Sequence, residues 1–157
     1  MKVCQHLWFE KDMEAALRFY ISLIPGSSLD FLSTVPADTP SGPAGTVKIA
    51  AFTLGDQRYR AIEAGPFDPL SRNFSIMIEC DTQAEIDRLW DALTAGGKEI
   101  ACGWLTDRWG ITWQITPKRL LDLINDPDRA KGKRVMEAMM KMVKFDIAAI
   151  EAAARAT

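Results

Sequence analysis

One histidine, three cysteines and a tryptophan-rich segment near position 110 supply most of the chemically versatile side chains in this chain. His6 could act as a base or a ligand, since imidazole titrates near neutrality. The simpler reading makes it a hydrogen-bonded structural residue. Cys4, Cys80 and Cys102 are odd in number and lack C-x-x-C spacing, which argues against both a disulfide framework and a cysteine zinc site. Reduced thiols are expected. Cys102, two residues before Trp104, invites a reactive-thiol reading, against which stands ordinary packing of a small residue beside Gly103. Asp107 and Arg108 read as a charge pair at a turn. Gln114 shares a strand face with Thr112 and Thr116, a polar row that could orient a ligand. Ser75 has no histidine or aspartate partner in a nucleophile arrangement, so a hydrolase triad has no support. The five tryptophans suit either an aromatic pocket for a flat ligand or plain packing.

The elements that must position these residues follow from hydrophobic periodicity. Residues 2–9 alternate Val3, Gln5, Leu7 and Phe9 on one face with Cys4, His6 and Trp8 on the other, the pattern of a strand. If Gln5 faces a ligand cavity, His6 points to the helix layer. Asp12 reads as the cap of a helix carrying Met13, Leu17, Tyr20 and Leu23, stopped by Pro25-Gly26. Strands are expected over 29–35, 47–54 and 58–64, the last two joined by Gly55-Asp56 in a hairpin turn. A proline- and glycine-rich loop lies between the first two. After breaks at Gly65-Pro66 and Pro69 the order repeats. A strand over 74–80 leads to a helix capped by Asp81 or Thr82, with Ile86, Leu89, Trp90 and Leu93 as its apolar stripe. Short strands over 99–102, 104–106 and 111–116 follow.

The spacing thus predicts two β-α-β-β-β modules, over 1–66 and 67–117, and an α-helical extension over 118–157, together one compact α+β domain. In the extension Leu120, Leu121 and Ile124 form a short helix, and Asn125-Asp126-Pro127 caps the next. Val135, Met136, Met139, Met140 and Val143 make an apolar stripe, and Asp146 caps a last helix. Core packing, against the sheets or a second subunit, explains that stripe better than a promiscuous Met-rich surface.

Composition excludes several partners. Nineteen Lys and Arg against 21 Asp and Glu give a net charge of -2, with no field to attract nucleic acid. No stretch has the ~18 uncharged apolar residues of a spanning helix. A cytoplasmic location without membrane contact is expected.

Specific motifs go further. Trp8, Phe9, Glu14, Ala15, Phe19 and Tyr20 near the start, Cys102-Gly103-Trp104 with Asp107, Arg108, Gly110, Trp113 and Gln114, and the run from Arg134 to Met142 resemble the vicinal oxygen chelate superfamily of glyoxalases, bleomycin-resistance proteins and dioxygenases. More narrowly, the chain is similar to the PhnB-like branch, often labelled 3-demethylubiquinone-9 3-methyltransferase. The resemblance implies paired βαβββ modules forming a cupped sheet around a cavity, commonly in homodimers. In metal-dependent members of the superfamily, the first and last strands of each module supply four ligands. Carried over, those positions fall on Gln5, Glu63, Ser75 and Gln114. One carboxylate, two amides and a hydroxyl bring a single formal charge and no imidazole, a poor cage for a divalent ion. No cofactor is therefore expected, and a divalent metal remains the alternative.

The leading expectation is a protein that holds a small organic ligand through Gln5, Ser75, Gln114 and Trp104. The alternatives are a metal-dependent lyase, isomerase or dioxygenase, or chemistry with Glu63 as general base, for which enclosure by Tyr59 would raise its pKa. The methyltransferase of the label fares worst, since no strand runs into the G-x-G-type loop that nucleotide-like cofactors use.

Overall fold

The computed structural model describes residues 1–65 and 70–156. The expected breaks at Pro66 and Pro69 lie outside them. The chain divides into two compact units, residues 1–69 and 70–157.

In the first unit, β1 (Gln5–Phe9) leads to α1 (Met13–Leu23), then β2 (Ser28–Thr34), β3 (Lys48–Leu54) and β4 (Gln57–Glu63). Their order in the sheet is β1-β4-β3-β2. β1 runs parallel to β4, with Gln5 opposite Tyr59 and Phe9 opposite Glu63. Gly55-Asp56 closes the β3–β4 hairpin as expected, with Leu54 opposite Gln57. Gly55 takes φ 57, a left-handed conformation suited to such a turn.

One face of this sheet is apolar. Leu7, Phe9, Ala50, Phe52, Leu54, Tyr59 and Ala61 are buried on it, and so is the stripe Met13, Ala16, Leu17 and Tyr20 of α1. Phe52 and Tyr59 stack with ring centroids 5.1 Å apart. Asp12 occupies the cap position of α1 but at φ 59, and its side chain makes no capping bond. The first amide of the helix is satisfied from the sheet instead, by the Glu63 carboxylate.

The second unit repeats the topology. β5 (Ile76–Cys80), α2 (Gln83–Thr94), β6 (Lys98–Glu99), β7 (Trp104–Thr106) and β8 (Thr112–Pro117) form a sheet in the order β5-β8-β7-β6. β6 is two residues long, and beyond it the Cys102 and Gly103 amides donate to Met142 O and Val143 O of the C-terminal segment. Thr82 caps α2 in a reciprocal box with Glu85, which satisfies two donors at once. Ile76, Cys80, Leu105, Trp113 and Ile115 are buried in the same layer as Ile86, Leu89, Trp90 and Leu93 of α2.

Three helices, α3 (Lys118–Ile124), α4 (Arg129–Met139) and α5 (Ile147–Arg155), complete this unit. Leu120, Leu123, Val135, Phe145, Ile150 and Ala154 form their core, with Cys102, Ile124, Met139 and Met142 packed against it. Asp146 caps α5 as expected, accepting from the Ala149 amide. Two expectations change. Asp128, after Pro127, caps α4 by accepting from Ala130 and Lys131. Because α4 ends at Met139, the helical stripe does not continue through Met140 and Val143, which are 58% and 45% exposed. Among the described residues no helix is long and apolar enough to cross a membrane.

Candidate functional site

Residue parity in β1 fixes which groups face the helix. Gln5 shares its face with the buried Leu7 and Phe9 and stands opposite Tyr59, so it lies on the side covered by α1. His6 lies on the side turned away from α1. This reverses the orientation expected for the pair: apolar Leu7 and Phe9 put Gln5's row into the core. Gln5 Oε1 is buried and has no hydrogen-bond partner among the described residues.

Glu63 lies on the same helix-covered face. Its Oε2 accepts from the Met13 amide at 2.8 Å, and its Oε1 accepts from Lys48 Nζ at 2.7 Å. The lysine stands directly opposite Glu63 in the ladder, and the hydrogen bond to the carboxylate, followed by its charge, raises the Lys48 pKa above its ordinary value. Gln5 and Glu63 are four positions apart along adjacent paired strands, roughly 13 Å at about 3.3 Å per residue. One ion could not bind both side chains there.

His6 stands opposite Arg60 in the ladder. Partial loss of water around the ring, and then the Arg60 charge, lower its pKa below the ordinary 6.5. The imidazole is therefore neutral at pH 7. An NMR titration should give a midpoint below 6.5, and Arg60→Gln should move it upward. An unchanged midpoint in that variant would show that the two groups do not interact. The folded state binds this proton less tightly than the unfolded chain. Its effect on stability is therefore absent above the unfolded value and becomes destabilising as pH falls through 6.5 toward the lower folded value.

In the second unit, Ser75 and Gln114 come together. Gln114 Nε2 donates to Ser75 Oγ at 2.8 Å. In the ladder Gln114 lies between Met77 on β5 and Trp104 on β7. These side chains share the sheet face opposite the buried Trp113 and Ile115. Met77 is 45% exposed and Trp104 half-buried, so this face offers an aromatic ring, a thioether and an amide together. Thr112 and Thr116 continue the row but are buried.

Other candidates serve the architecture. Asp107 is buried and accepts from the Trp109 and Ile111 amides at 2.9 and 3.1 Å and from Trp113 Nε1 at 2.9 Å. The aspartate of the expected charge pair thus organises the turn before β8. The Arg108 guanidinium lies 5.1 Å from the centre of the Trp109 ring. Cys102 is held at φ 60, its amide donating to Met142 O and its Sγ 3.9 Å from Met139 O. Burial pushes the Cys80 thiol up to about 11. The indoles of Trp8 and Trp90 donate to Gly65 O and Glu99.

Among the described residues no three His, Cys, Asp or Glu side chains are grouped closely enough to hold a metal ion. The inherited positions do not fit the group either. Gln5 faces the helix layer, Glu63 is engaged by Lys48 and Met13, and Ser75 and Gln114 bond each other.

A family model described as 3-demethylubiquinone-9 3-methyltransferase matches residues 1–116. The chain belongs to that family. A Bacillus cereus PhnB protein carrying the same methyltransferase description is 29% identical, with 74% of this chain and 99% of that chain covered and a TM-score of 0.65. The fold extends to the fosfomycin resistance protein FosX of Mesorhizobium loti (13% identity, 72% and 87% coverage, TM-score 0.50) and to the trypanothione-dependent glyoxalase I of Leishmania major (10%, 87% and 98%, 0.50). These two likenesses show a shared fold, the paired βαβββ architecture that the motifs imply. No curated protein matches.

Proposed function

We propose that this PhnB-like protein binds a small organic ligand on the sheet face that carries Gln114, and that binding rather than turnover is its role. The Ser75–Gln114 hydrogen bond beside Trp104 and Met77 carries the reading. It fixes the amide while leaving Gln114 Oε1 and the Ser75 hydroxyl proton free to meet a polar group. Trp104 supplies a flat apolar surface for the rest of the molecule, the usual division of labour in a small-molecule site. The general-base alternative assigns catalysis to Glu63, which would first have to release Lys48 and the Met13 amide. The methyltransferase alternative lacks the glycine-rich loop after a strand that a nucleotide-like methyl donor calls for. A homodimer fits the family habit.

The test is an NMR titration with phenol as a neutral aromatic probe. Shifts should concentrate on the Trp104 indole and the Gln114 side-chain amide, and Gln114→Ala should weaken binding about tenfold, the loss of one good hydrogen bond and its packing. Shifts confined to other residues would sink the assignment. Stoichiometric metal in the purified protein would favour the metal-dependent alternative.

A further inference from the structure

The first unit carries a polar cavity on the face of its sheet turned away from α1. It encloses about 380 Å³ and is lined by Lys2, Cys4, Asp30, Thr53, Arg58 and Arg60 among others. Arg58 and Arg60 are two residues apart on β4, so the pleat sends both guanidinium groups out of the same face, about 7 Å apart along the strand. Neither they nor Lys2 form an ion pair among the described residues. The one acidic group in the lining, Asp30, is engaged elsewhere: its carboxylate accepts from the Ser28 and Thr53 hydroxyls. Three cations therefore face one carboxylate in a chain whose net charge is negative. The positive field reaches the neighbouring strand, where Arg60 helps to hold His6 neutral.

Unpaired arginines on a sheet face carry a repulsive cost, and the other face of this sheet avoids it, where Lys48 is paired with Glu63. Guanidinium groups present planar forks of N–H donors that match the oxygens of carboxylate or phosphoryl groups, and such charge-assisted bonds are the strong ones. We propose that this cavity binds the oxyanion group, carboxylate or phosphoryl, of a small organic anion, with Arg58 and Arg60 as its direct ligands and Lys2 contributing charge. Ala51 in the same lining leaves room beside the arginines for the organic part. These residues belong to the first unit and the Gln114 face to the second, and each proposal stands or falls without the other.

The experiment is a calorimetric titration of the full chain with phenyl phosphate and with benzoate at low salt, phenol serving as the neutral control. At least one anion should bind in preference to phenol, the tighter of the two naming the group recognised. Arg58→Gln/Arg60→Gln should weaken that binding at least tenfold, while Arg58→Lys/Arg60→Lys, which keeps the charge but loses the fork, should recover part of it. Raising the salt from 20 to 300 mM should weaken binding several-fold, as screening requires. Both arginines are exposed, so the variants should melt with the parent. Absence of binding by either anion at millimolar concentration, or equal affinity in the Gln double variant, would overturn the proposal. Phenol binding at Trp104 would stand in either case.

Discussion

Replacing Asp107 by alanine is expected to destabilise the second unit by about 3 kcal/mol or more, because three donors lose their acceptor at once and each buried orphan costs about 1–3 kcal/mol. The Trp109 and Ile111 amides and the Trp113 indole all converge on this carboxylate, which is 4% exposed. Removing the charge recovers some desolvation cost, but the donors remain buried. Asp107→Asn should be milder, by about 1–2 kcal/mol, since one amide oxygen can still accept the two backbone bonds while the NH2 group opposes Trp113 Nε1–H. Urea denaturation followed by tryptophan fluorescence reads both. An alanine variant within 1 kcal/mol of the parent would show that the turn is organised by something other than the carboxylate.

Gly103→Ala is the second large effect. Gly103 sits at φ +75, and a Cβ there would fall within 2.3 Å of the Phe145 ring and 2.9 Å of Ile115 O. A left-handed non-glycine residue costs about 1–2 kcal/mol, and overpacking adds about 1–3 kcal/mol. The total should approach ~3 kcal/mol. Gly45, at φ +83 with nothing within 4 Å of its imagined Cβ, isolates the backbone part. Gly45→Ala should cost only about 1 kcal/mol, and equal losses at both sites would remove the steric argument. The same substitution should loosen the C-terminal helices. Gly103 and Cys102 donate to Val143 and Met142, so hydrogen exchange at these two amides should accelerate.

Much of this architecture was legible from local pattern. The Gly55-Asp56 turn, the Thr82 cap and the Asp146 cap are signals that require nothing beyond their own neighbours, and each element order followed from period-2 and period-3.6 runs. The site residues depended on longer-range facts. Alternation in β1 says that Gln5 and His6 point opposite ways, but not which side the helix covers. The burial of Leu7 and Phe9 decides that, and their size relative to Cys4 was the available hint. Glu63 offered a better clue. Counting back from the Gly55-Asp56 turn puts Lys48 opposite it, so the ion pair could have been read from the hairpin alone. The capping of Met13 by Glu63 could not, because it depends on where α1 lands on the sheet. Nor could the triple acceptance by Asp107, which joins a turn to an indole on the next strand.

The strand order of the two sheets also governs how the chain emerges from a ribosome. In each sheet the first strand made pairs with the last: Gln5 must wait for Tyr59, and Ile76 for Trp113. Until β4 has been synthesised, β1 has no partner and the carboxylate that caps α1 does not exist. Each module should therefore assemble late and all at once rather than strand by strand, and closing so long a loop makes the step slow. A nascent chain stalled before Gln57 would still expose Leu7 and Phe9, which are the surfaces chaperones recognise.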